Sequence, residues 1–325
     1  MKKLDFSDVL IEPGVCDKPI TRGDVNITPN GYVPIIVSNM VTLGKFEIAK
    51  IASQHKVLTF ISKEYSADAM IENLAQVDKQ YVGITSGVRD FDHTRILQVL
   101  ELHNNFAYLN LDIANVGANV QGMVDTIKLY RNKFKGKIVA GNVATLEMAK
   151  LLEDAGADII KVGIGSGAAC TTRTEVGVGV PQLSAIYDIA NHVSVPIISD
   201  GGCTTPGDVC KAIAAGADYV MLGGMFASCK EMATDGSDKV DFFGLGSQKM
   251  YTTYVPTESE YRPVEGRTLQ VPVKTTMEEV INQIKGALRS VCTYVGVDSI
   301  DKLHTKAKFI QVNNQYNRSL EKYGT

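Results

Sequence analysis

The sequence has neither a long apolar run nor an excess of charge of one sign. No stretch of about 18 consecutive apolar residues occurs, so no segment has the length of a transmembrane helix. The formal net charge of −3 provides no basic surface for nucleic acid and no polybasic segment for a membrane. The first residues include two lysines but no apolar core of a signal peptide. We therefore expect a cytoplasmic protein with no nucleic-acid or membrane partner.

Cysteine and histidine are also scarce. The six cysteines, at positions 16, 170, 203, 210, 229 and 292, lack paired zinc spacing and are too sparse for a disulfide framework. We expect reduced thiols, five of them structural. The five histidines lie mostly in predicted helices or in the C-terminal tail, and none has a metal-binding spacing. The sequence therefore disfavours a hydrolase with a Cys-His pair, and any general base must be another residue type.

Eight short apolar runs alternate with helix-length segments along the 325 residues. Most of the runs are continuously apolar, which is typical of strands buried on both faces of a parallel sheet. The pattern predicts an α/β fold, a single (β/α)8 TIM barrel domain over residues 1–325. The predicted strands are residues 33–37, 57–61, 81–85, 107–111, 137–140, 159–162, 196–199 and 219–222.

A strand–helix–strand unit occurs twice, in residues 138–163 and 198–223. Each copy has Ala-Gly-Ala-Asp before its second strand, and we expect that glycine to end the helix. After strand eight, residues 227–273 are polar and lack core periodicity, which predicts an irregular flap over the mouth of the barrel. Residues 277–288 are predicted as the eighth helix, and the tail packs outside the barrel or against a partner subunit.

A glycine-rich loop with one cysteine, Cys170, follows the strand at 159–162. Glycines at 163, 165, 167, 177 and 179 allow the backbone positive φ angles and a close approach to a ligand. Arg173 lies three residues further on and would favour the thiolate, which suits a nucleophile. The alternative is a small apolar cysteine in a linker. The position of the loop, after a predicted core strand, favours the nucleophile.

Chemistry in such a barrel gathers at the C-terminal ends of the strands. Strands seven and eight both end in Gly-Gly, at residues 201–202 and 223–224, a composition typical of a phosphate site. Asp200 precedes the first pair, and its carboxylate would accept bonds from a ribose diol. Each glycine pair alone could be a plain tight turn. Two of them at adjacent strand ends favour a phosphorylated ligand.

Five segments resemble one known family. They are DFSDVLIEP at 5–13, AGNVAT at 140–145, GIGSGAACTTR at 163–173, SDGG at 199–202 and AGADYVMLGGM at 215–225. In this order they are similar to the IMP dehydrogenase/GMP reductase family over nearly the whole chain. The cysteine segment resembles the catalytic loop of that family.

The branch of the family that the chain resembles most closely is GMP reductase. Dehydrogenases usually carry CBS domains after the second barrel helix, and only residues 66–80 separate Tyr65 from Tyr81, so no CBS insertion is present. Their flap also carries an Arg-Tyr pair that activates water, and residues 246–265 contain none. Residues 260–272 and 289–296 are similar to GMP reductases. An IMP dehydrogenase without CBS domains remains an alternative.

The resemblance implies reductive deamination of GMP by NADPH, which gives IMP and ammonia through a purine thioimidate on Cys170. It assigns proton transfer to the Thr172 hydroxyl beside the Glu265 carboxylate. It implies substrate contacts from Asp200, Gly202, Gly223, Gly224, Leu245, Gly246, Arg262 and Gly266, and a cofactor side formed by Lys63, Asp112 and Asn142. It also implies a potassium ion on the carbonyl oxygens of Gly165, Gly167 and Cys170, and a homotetramer.

Several positions depart from the family pattern. The serine that binds phosphate is Ala168 here, Ser166 replaces a proline, and Val41 and Ser62 replace an acidic residue and a histidine. One lost hydroxyl–phosphate bond would cost about 1–3 kcal/mol. A divergent member that acts on a modified purine nucleotide is therefore an alternative. A nucleotide-binding protein without catalysis and a flavin oxidoreductase barrel are two others, which the cysteine loop disfavours.

Overall fold

Short strands alternate with helices in the computed structural model, which describes residues 3–16, 18–234, 236–254 and 263–313. The strands are β1 (Val9–Ile11), β2 (Ile35–Val37), β3 (Leu58–Ile61), β4 (Val82–Ser86), β5 (Tyr108–Asp112), β6 (Lys137–Val143), β7 (Ile159–Val162), β8 (Ile197–Asp200), β9 (Tyr219–Leu222), β10 (Lys239–Phe243), β11 (Thr268–Pro272) and β12 (Phe309–Gln311). Strands β2 to β9 are parallel and form a closed barrel in chain order. The predicted (β/α)8 fold is confirmed.

Helices lie between the barrel strands and after them. They are α1 (Phe46–Gln54), α2 (Ala67–Leu74), α3 (Asp90–Leu102), α4 (Val120–Arg131), α5 (Leu146–Asp154), α6 (Thr172–Glu175), α7 (Gln182–Ala190), α8 (Pro206–Ala214), α9 (Gly224–Ala227), α10 (Gln248–Tyr254), α11 (Met277–Val295) and α12 (Leu303–Lys306). Among the described residues, no helix is both long and apolar enough to cross a bilayer.

The two faces of the barrel strands bury different clusters. Ile159 belongs to an apolar cluster with Phe60 and Tyr108, whereas Ile160 and Val162 belong to the larger cluster that includes the helices. Side chains alternate between faces along a strand, so Ile159 and Lys161 share the inner face. Every residue of β7 is buried, as the continuous apolar pattern predicts. The inner layer changes from apolar to charged as β7 approaches the mouth.

The repeated unit predicted from the sequence has matching helix ends in its two copies. Thr145 caps the start of α5 and Thr205 caps the start of α8, each accepting a bond from a backbone N–H in the first turn. Gly156 and Gly216 follow these helices with φ of +96° and +109°. A left-handed glycine therefore ends each helix before the next strand, as predicted.

The segment after strand eight of the barrel is more regular than its sequence predicts. Strands β10 and β11 form an antiparallel pair within residues 227–273, and α10 lies between them. The prediction of an irregular segment was therefore wrong for these stretches. The residues of β11 alternate between exposed and half-buried, so no continuous apolar run marks the strand. In the tail, β12 pairs with β1, with Leu10 opposite Ile310.

Candidate active site

The Cys170 loop leaves the barrel at Gly163 and packs against the end of β8. A Cβ atom at Gly163 would lie 1.9 Å from the carbonyl oxygen of Asp200, so only glycine fits there. The Ser166 hydroxyl donates a 3.0 Å hydrogen bond to the same carbonyl oxygen. Ser166, which replaces the family's proline, thereby ties the loop to the neighbouring strand.

Cys170, Thr172 and Glu265 form a continuous hydrogen-bonded chain. The Cys170 Sγ donates to the Thr172 Oγ1 at 3.2 Å, and that hydroxyl donates to the Glu265 Oε2 at 2.8 Å. The Thr171 N–H also donates to the Glu265 backbone oxygen at 2.8 Å, and Cys170 forms an isolated antiparallel bridge with Gly266. A thiol, a hydroxyl and a carboxylate therefore meet at one point, the arrangement that a proton relay requires.

Backbone contacts hold the far end of the flap against the cysteine loop. The Arg267 N–H donates to the Ala169 oxygen at 2.9 Å, and its guanidinium donates to the Ala168 oxygen at 3.0 and 3.2 Å. A Cβ at Gly266 would lie 2.9 Å from the Ser247 nitrogen, and one at Gly246 would lie 3.2 Å from Glu265. These glycines let the flap approach the loop closely.

The structure describes three of the four residues predicted to frame the base from the flap. Gly246 and Gly266 lie beside the Cys170–Thr172–Glu265 chain, as their contacts show. Leu245 precedes them and keeps 39% of its surface exposed, so its side chain is open to a ligand. The predicted contact from Arg262 lies outside the described residues.

The Arg173 side chain binds the N-terminal segment of the chain. Its guanidinium donates to both carboxylate oxygens of Asp5, at 2.6 and 3.1 Å, and to the Val180 oxygen at 2.9 Å. Burial would raise the pKa of Asp5, but the bonds from Arg173 and Gln182 hold it below its usual value. The bonds to Asp5 raise the pKa of Arg173 and the charge of Cys170 adds to this rise, so the predicted charge interaction with Cys170 is retained, while the guanidinium donors are directed to Asp5 and Val180.

The glycines proposed for phosphate binding converge at one corner of the mouth. Gly201 and Gly202 have φ of +92° and +85°, and a Cβ at Gly201 would lie 2.9 Å from the Gly167 nitrogen. A Cβ at Gly224 would lie 3.7 Å from the Ala168 Cβ. The ends of β8 and β9 therefore both flank the cysteine loop.

A buried ion-pair network that the sequence interpretation missed lies beneath this mouth. The Lys161 Nζ donates to the Asp112 Oδ1 at 2.8 Å and to the Asp200 Oδ2 at 3.3 Å. Asn39 donates to the other oxygen of Asp112, and Asn142 donates to the Asp200 Oδ2 at 2.8 Å. The sequence contained evidence for this network, because a lysine within a predicted buried strand requires a charged partner.

Charges around Asp112 keep it ionised. Burial would raise the pKa of Asp112, but the charges of Lys161 and Lys63 and the bonds from Lys161 and Asn39 hold it below its usual value. Lys161 is also buried, which would lower its pKa, yet Asp112 and Asp200 raise that pKa above the usual value. Of the three residues predicted for the cofactor side, Lys63 and Asp112 are therefore neighbours. Asn142 joins the network through Asp200.

Comparison with known proteins decides the family. The sequence model described as IMP dehydrogenase / GMP reductase domain matches residues 3–319. The chain belongs to this family. GMP reductase 1 of Mus musculus is 42% identical over 97% of this chain and 96% of its own length. GMP reductase of Onchocerca volvulus is 39% identical, covering 99% and 94%, and that of Escherichia coli O81 is 38% identical, covering 97% and 96%.

The family resemblance implies a monovalent cation on the cysteine loop, and the loop has suitable oxygen donors. Backbone carbonyls are ligands that hard cations accept, and Gly165, Gly167 and Cys170 lie on one tight loop in which Gly165 has a φ of +78°. The Gly167 oxygen already accepts the Cys170 N–H at 3.0 Å, which leaves it one lone pair for an ion. No cluster of three His, Cys, Asp or Glu side chains suited to a metal occurs in the described ranges.

Proposed function

We propose that this protein is a GMP reductase that uses NADPH to convert GMP to IMP and ammonia. The observation that carries the proposal is the Cys170–Thr172–Glu265 hydrogen-bonded chain, with contacts of 3.2 and 2.8 Å. Membership of the family and relatives named GMP reductase at about 40% identity support the same reaction. In the overall balance, GMP, NADPH and a proton give IMP, NADP⁺ and ammonia.

The first half of the reaction uses the thiol and the relay. The Cys170 thiolate adds to C2 of the purine, and the C2–N bond then breaks so that ammonia leaves. The leaving amine needs a proton. Glu265 takes up the one proton of the overall balance and passes it to the amine through the Thr172 hydroxyl, with which its carboxyl group shares a hydrogen bond. A thioimidate between Cys170 and the purine remains.

The second half returns the thiol to its starting state. Bound NADPH supplies a hydride to C2 of the thioimidate, and the C2–S bond then breaks with departure of the Cys170 thiolate. No water attacks C2, which agrees with a flap sequence that has no Arg-Tyr pair in residues 246–265. Cys170 therefore acts as nucleophile and leaving group, while Thr172 and Glu265 act in deamination alone.

The remaining assignments belong to this proposal. Asp200 would bind the ribose hydroxyls, and Gly202, Gly223 and Gly224 would bind the phosphate through backbone amides. Lys63, Asp112 and Asn142 would form the cofactor side, and Leu245, Gly246, Arg262 and Gly266 would frame the base. We also propose one barrel domain over residues 1–325 with a flap at about 227–273, a cytoplasmic homotetramer, and a potassium ion on the cysteine loop.

The test crosses two nucleotides with both redox forms of each nicotinamide cofactor, followed by absorbance of the reduced ring. Oxidation of NADPH that requires GMP is the expected result. Reduction of NAD⁺ that requires IMP would instead identify a dehydrogenase. Absence of turnover in every combination would contradict the proposal and favour a modified purine nucleotide or a binding role.

A further inference from the structure

Lys161 is the most deeply buried charge near the mouth of the barrel. It is 1% exposed, in the middle of β7, and shares the inner face of the barrel with apolar Ile159. Taking an ammonium group out of water is strongly unfavourable, so such a lysine persists only with well-placed partners. Those partners are Asp112 at the end of β5 and Asp200 at the end of β8, at 2.8 and 3.3 Å.

The two carboxylates belong to different subsites of the proposed reaction. The side chain of Asp200 is 23% exposed, and Asp200 directly precedes the glycine pair at 201–202. The side chain of Asp112 is 8% exposed and lies near Lys63. The one ammonium group of Lys161 donates to both. Any ligand that changes the charge or orientation of one carboxylate therefore changes the strength of the ion pair between Lys161 and the other carboxylate.

We propose that Lys161 is a positioning residue that couples nucleotide binding to cofactor binding by joining Asp112 and Asp200 in one ion-pair network. This inference rests on the proposed function for the identity of the two ligands. Ribose hydroxyls that donate to Asp200 would weaken its hold on the ammonium group. Lys161 would then bind Asp112 more strongly and fix its orientation for the cofactor, so each ligand should strengthen binding of the other.

The charged groups that face this network are few among the described residues. Lys161 and Lys63 face Asp112, and Asp112 and Asp200 face Lys161. If Lys161 became neutral, Asp112 would keep Lys63 and the Asn39 amide but lose its shortest ion pair. Burial would then dominate and raise the pKa of Asp112 above its value in the unfolded chain.

The first experiment measures coupling directly, with Lys161→Met as the test and Thr85→Val as the control. Thr85 is buried inside the same barrel and accepts a 3.1 Å bond from Asn110, so its loss disturbs the interior without touching either carboxylate. GMP is titrated calorimetrically with and without saturating NADP⁺, a pair that cannot react. We expect NADP⁺ to tighten GMP binding at least about fivefold in wild type and Thr85→Val, and less than about twofold in Lys161→Met.

The second experiment needs no ligand. In wild type the lowered pKa of Asp112 stabilises the fold above the unfolded pKa of about 4, and this stability is lost on further acidification. In Lys161→Met the raised pKa reverses the sign, so the free energy of unfolding should increase as pH falls from about 7 to about 5. Thr85→Val should have a lower free energy of unfolding than wild type, and this free energy should change with pH as it does in wild type.

The outcomes separate the two proposals. Wild type that shows no GMP-dependent oxidation of NADPH contradicts the proposed function, while the unfolding data still decide whether Lys161 holds Asp112 ionised. Equal coupling in wild type and Lys161→Met, or an unchanged pH dependence of unfolding, overturns the inference even if the enzyme is active. If Lys161→Met does not fold, the neutral pair Asp112→Asn with Lys161→Met replaces it, and retained coupling there also overturns the inference.

Discussion

Thr172 donates a 2.8 Å hydrogen bond to Glu265, a residue 93 positions later in the chain. The backbone of Glu265 is held separately, because its carbonyl oxygen accepts the Thr171 N–H. The side chain of Glu265 can therefore be changed without releasing the flap. This separation of backbone and side-chain contacts makes the relay accessible to mutation.

Glu265→Gln should slow deamination by about 10²–10⁴-fold while leaving hydride transfer intact, since the amide cannot supply the proton that ammonia needs. The measurement compares GMP consumption with formation of the covalent intermediate from IMP and NADP⁺. Thr172→Val should behave like Glu265→Gln, and Thr172→Ser, which keeps the hydroxyl, should remain close to wild type. Equal loss in both half-reactions would mean that Glu265 only shapes the flap.

Cys170→Ser should fold normally and lose at least about 10³-fold in turnover, because an alcohol is a far poorer nucleophile than a thiolate at neutral pH. Cys16→Ser is the matched control. The Cys16 thiol contacts only the Thr293 oxygen in the hydrogen bonds described for it, at 3.4 Å, and the variant should keep wild-type turnover. A Cys170→Ser enzyme with more than a tenth of the wild-type rate would remove covalent catalysis from the mechanism.

Alkylation at neutral pH should distinguish Cys170 from four cysteines with raised pKa values, of which Cys210, Cys229 and Cys292 are buried and Cys203 is half-buried. Burial raises the pKa of Cys210, Cys229 and Cys292 to about 12, and that of Cys203 well above its usual value. With a pKa of about 12, only about one thiol in 10⁵ is ionised at pH 7. Iodoacetamide should therefore label Cys170 before these four, and GMP should slow that labelling. Faster labelling of a buried cysteine would contradict the described burial.

Two glycines should respond to alanine with opposite signs. Gly286 lies inside α11 with no atom within 4 Å of an added Cβ, so Gly286→Ala should stabilise the fold by about 0.5–1 kcal/mol. Gly216 has a φ of +109°, and its Cβ would lie 2.6 Å from the Ala190 Cβ, so Gly216→Ala should destabilise by about 1–3 kcal/mol. Urea unfolding of both variants provides the comparison, and a shared sign would contradict it.

The barrel was predictable because its strands are short, apolar and followed by recognisable helices. The bounds of β7 and β9 match the predicted runs, since both strands are buried on both faces. Strand β11 was missed because it has no continuous apolar run, and its alternation of polar and apolar residues, the pattern of a half-exposed strand, extends over only five residues. Glu265 entered the candidate site through a family resemblance, since no local pattern reports a partner so distant in the chain.

The polar contacts between elements were harder to infer. Lys161 was visible as a charge in a buried run, but only the closed barrel shows that its partners lie on β5 and β8. For Arg173, proximity in sequence indicated the charge interaction with Cys170 that the structure retains, but not the ion pair with Asp5, 168 positions earlier in the chain. Side-chain direction depends on packing that composition does not encode.

The pairing of β2 with β9 has a consequence for synthesis of the chain. Strand β2 can pair with β3 early in synthesis. Its pairing with β9, in which Ile36 lies opposite Met221, can form only after β9 has left the ribosome. Until then β2 is an open edge that can recruit other nascent chains, and the same delay applies to β1, whose partner β12 emerges later still. Yield during expression should therefore depend on how quickly the last third of the chain is translated, with chaperones needed most before that point.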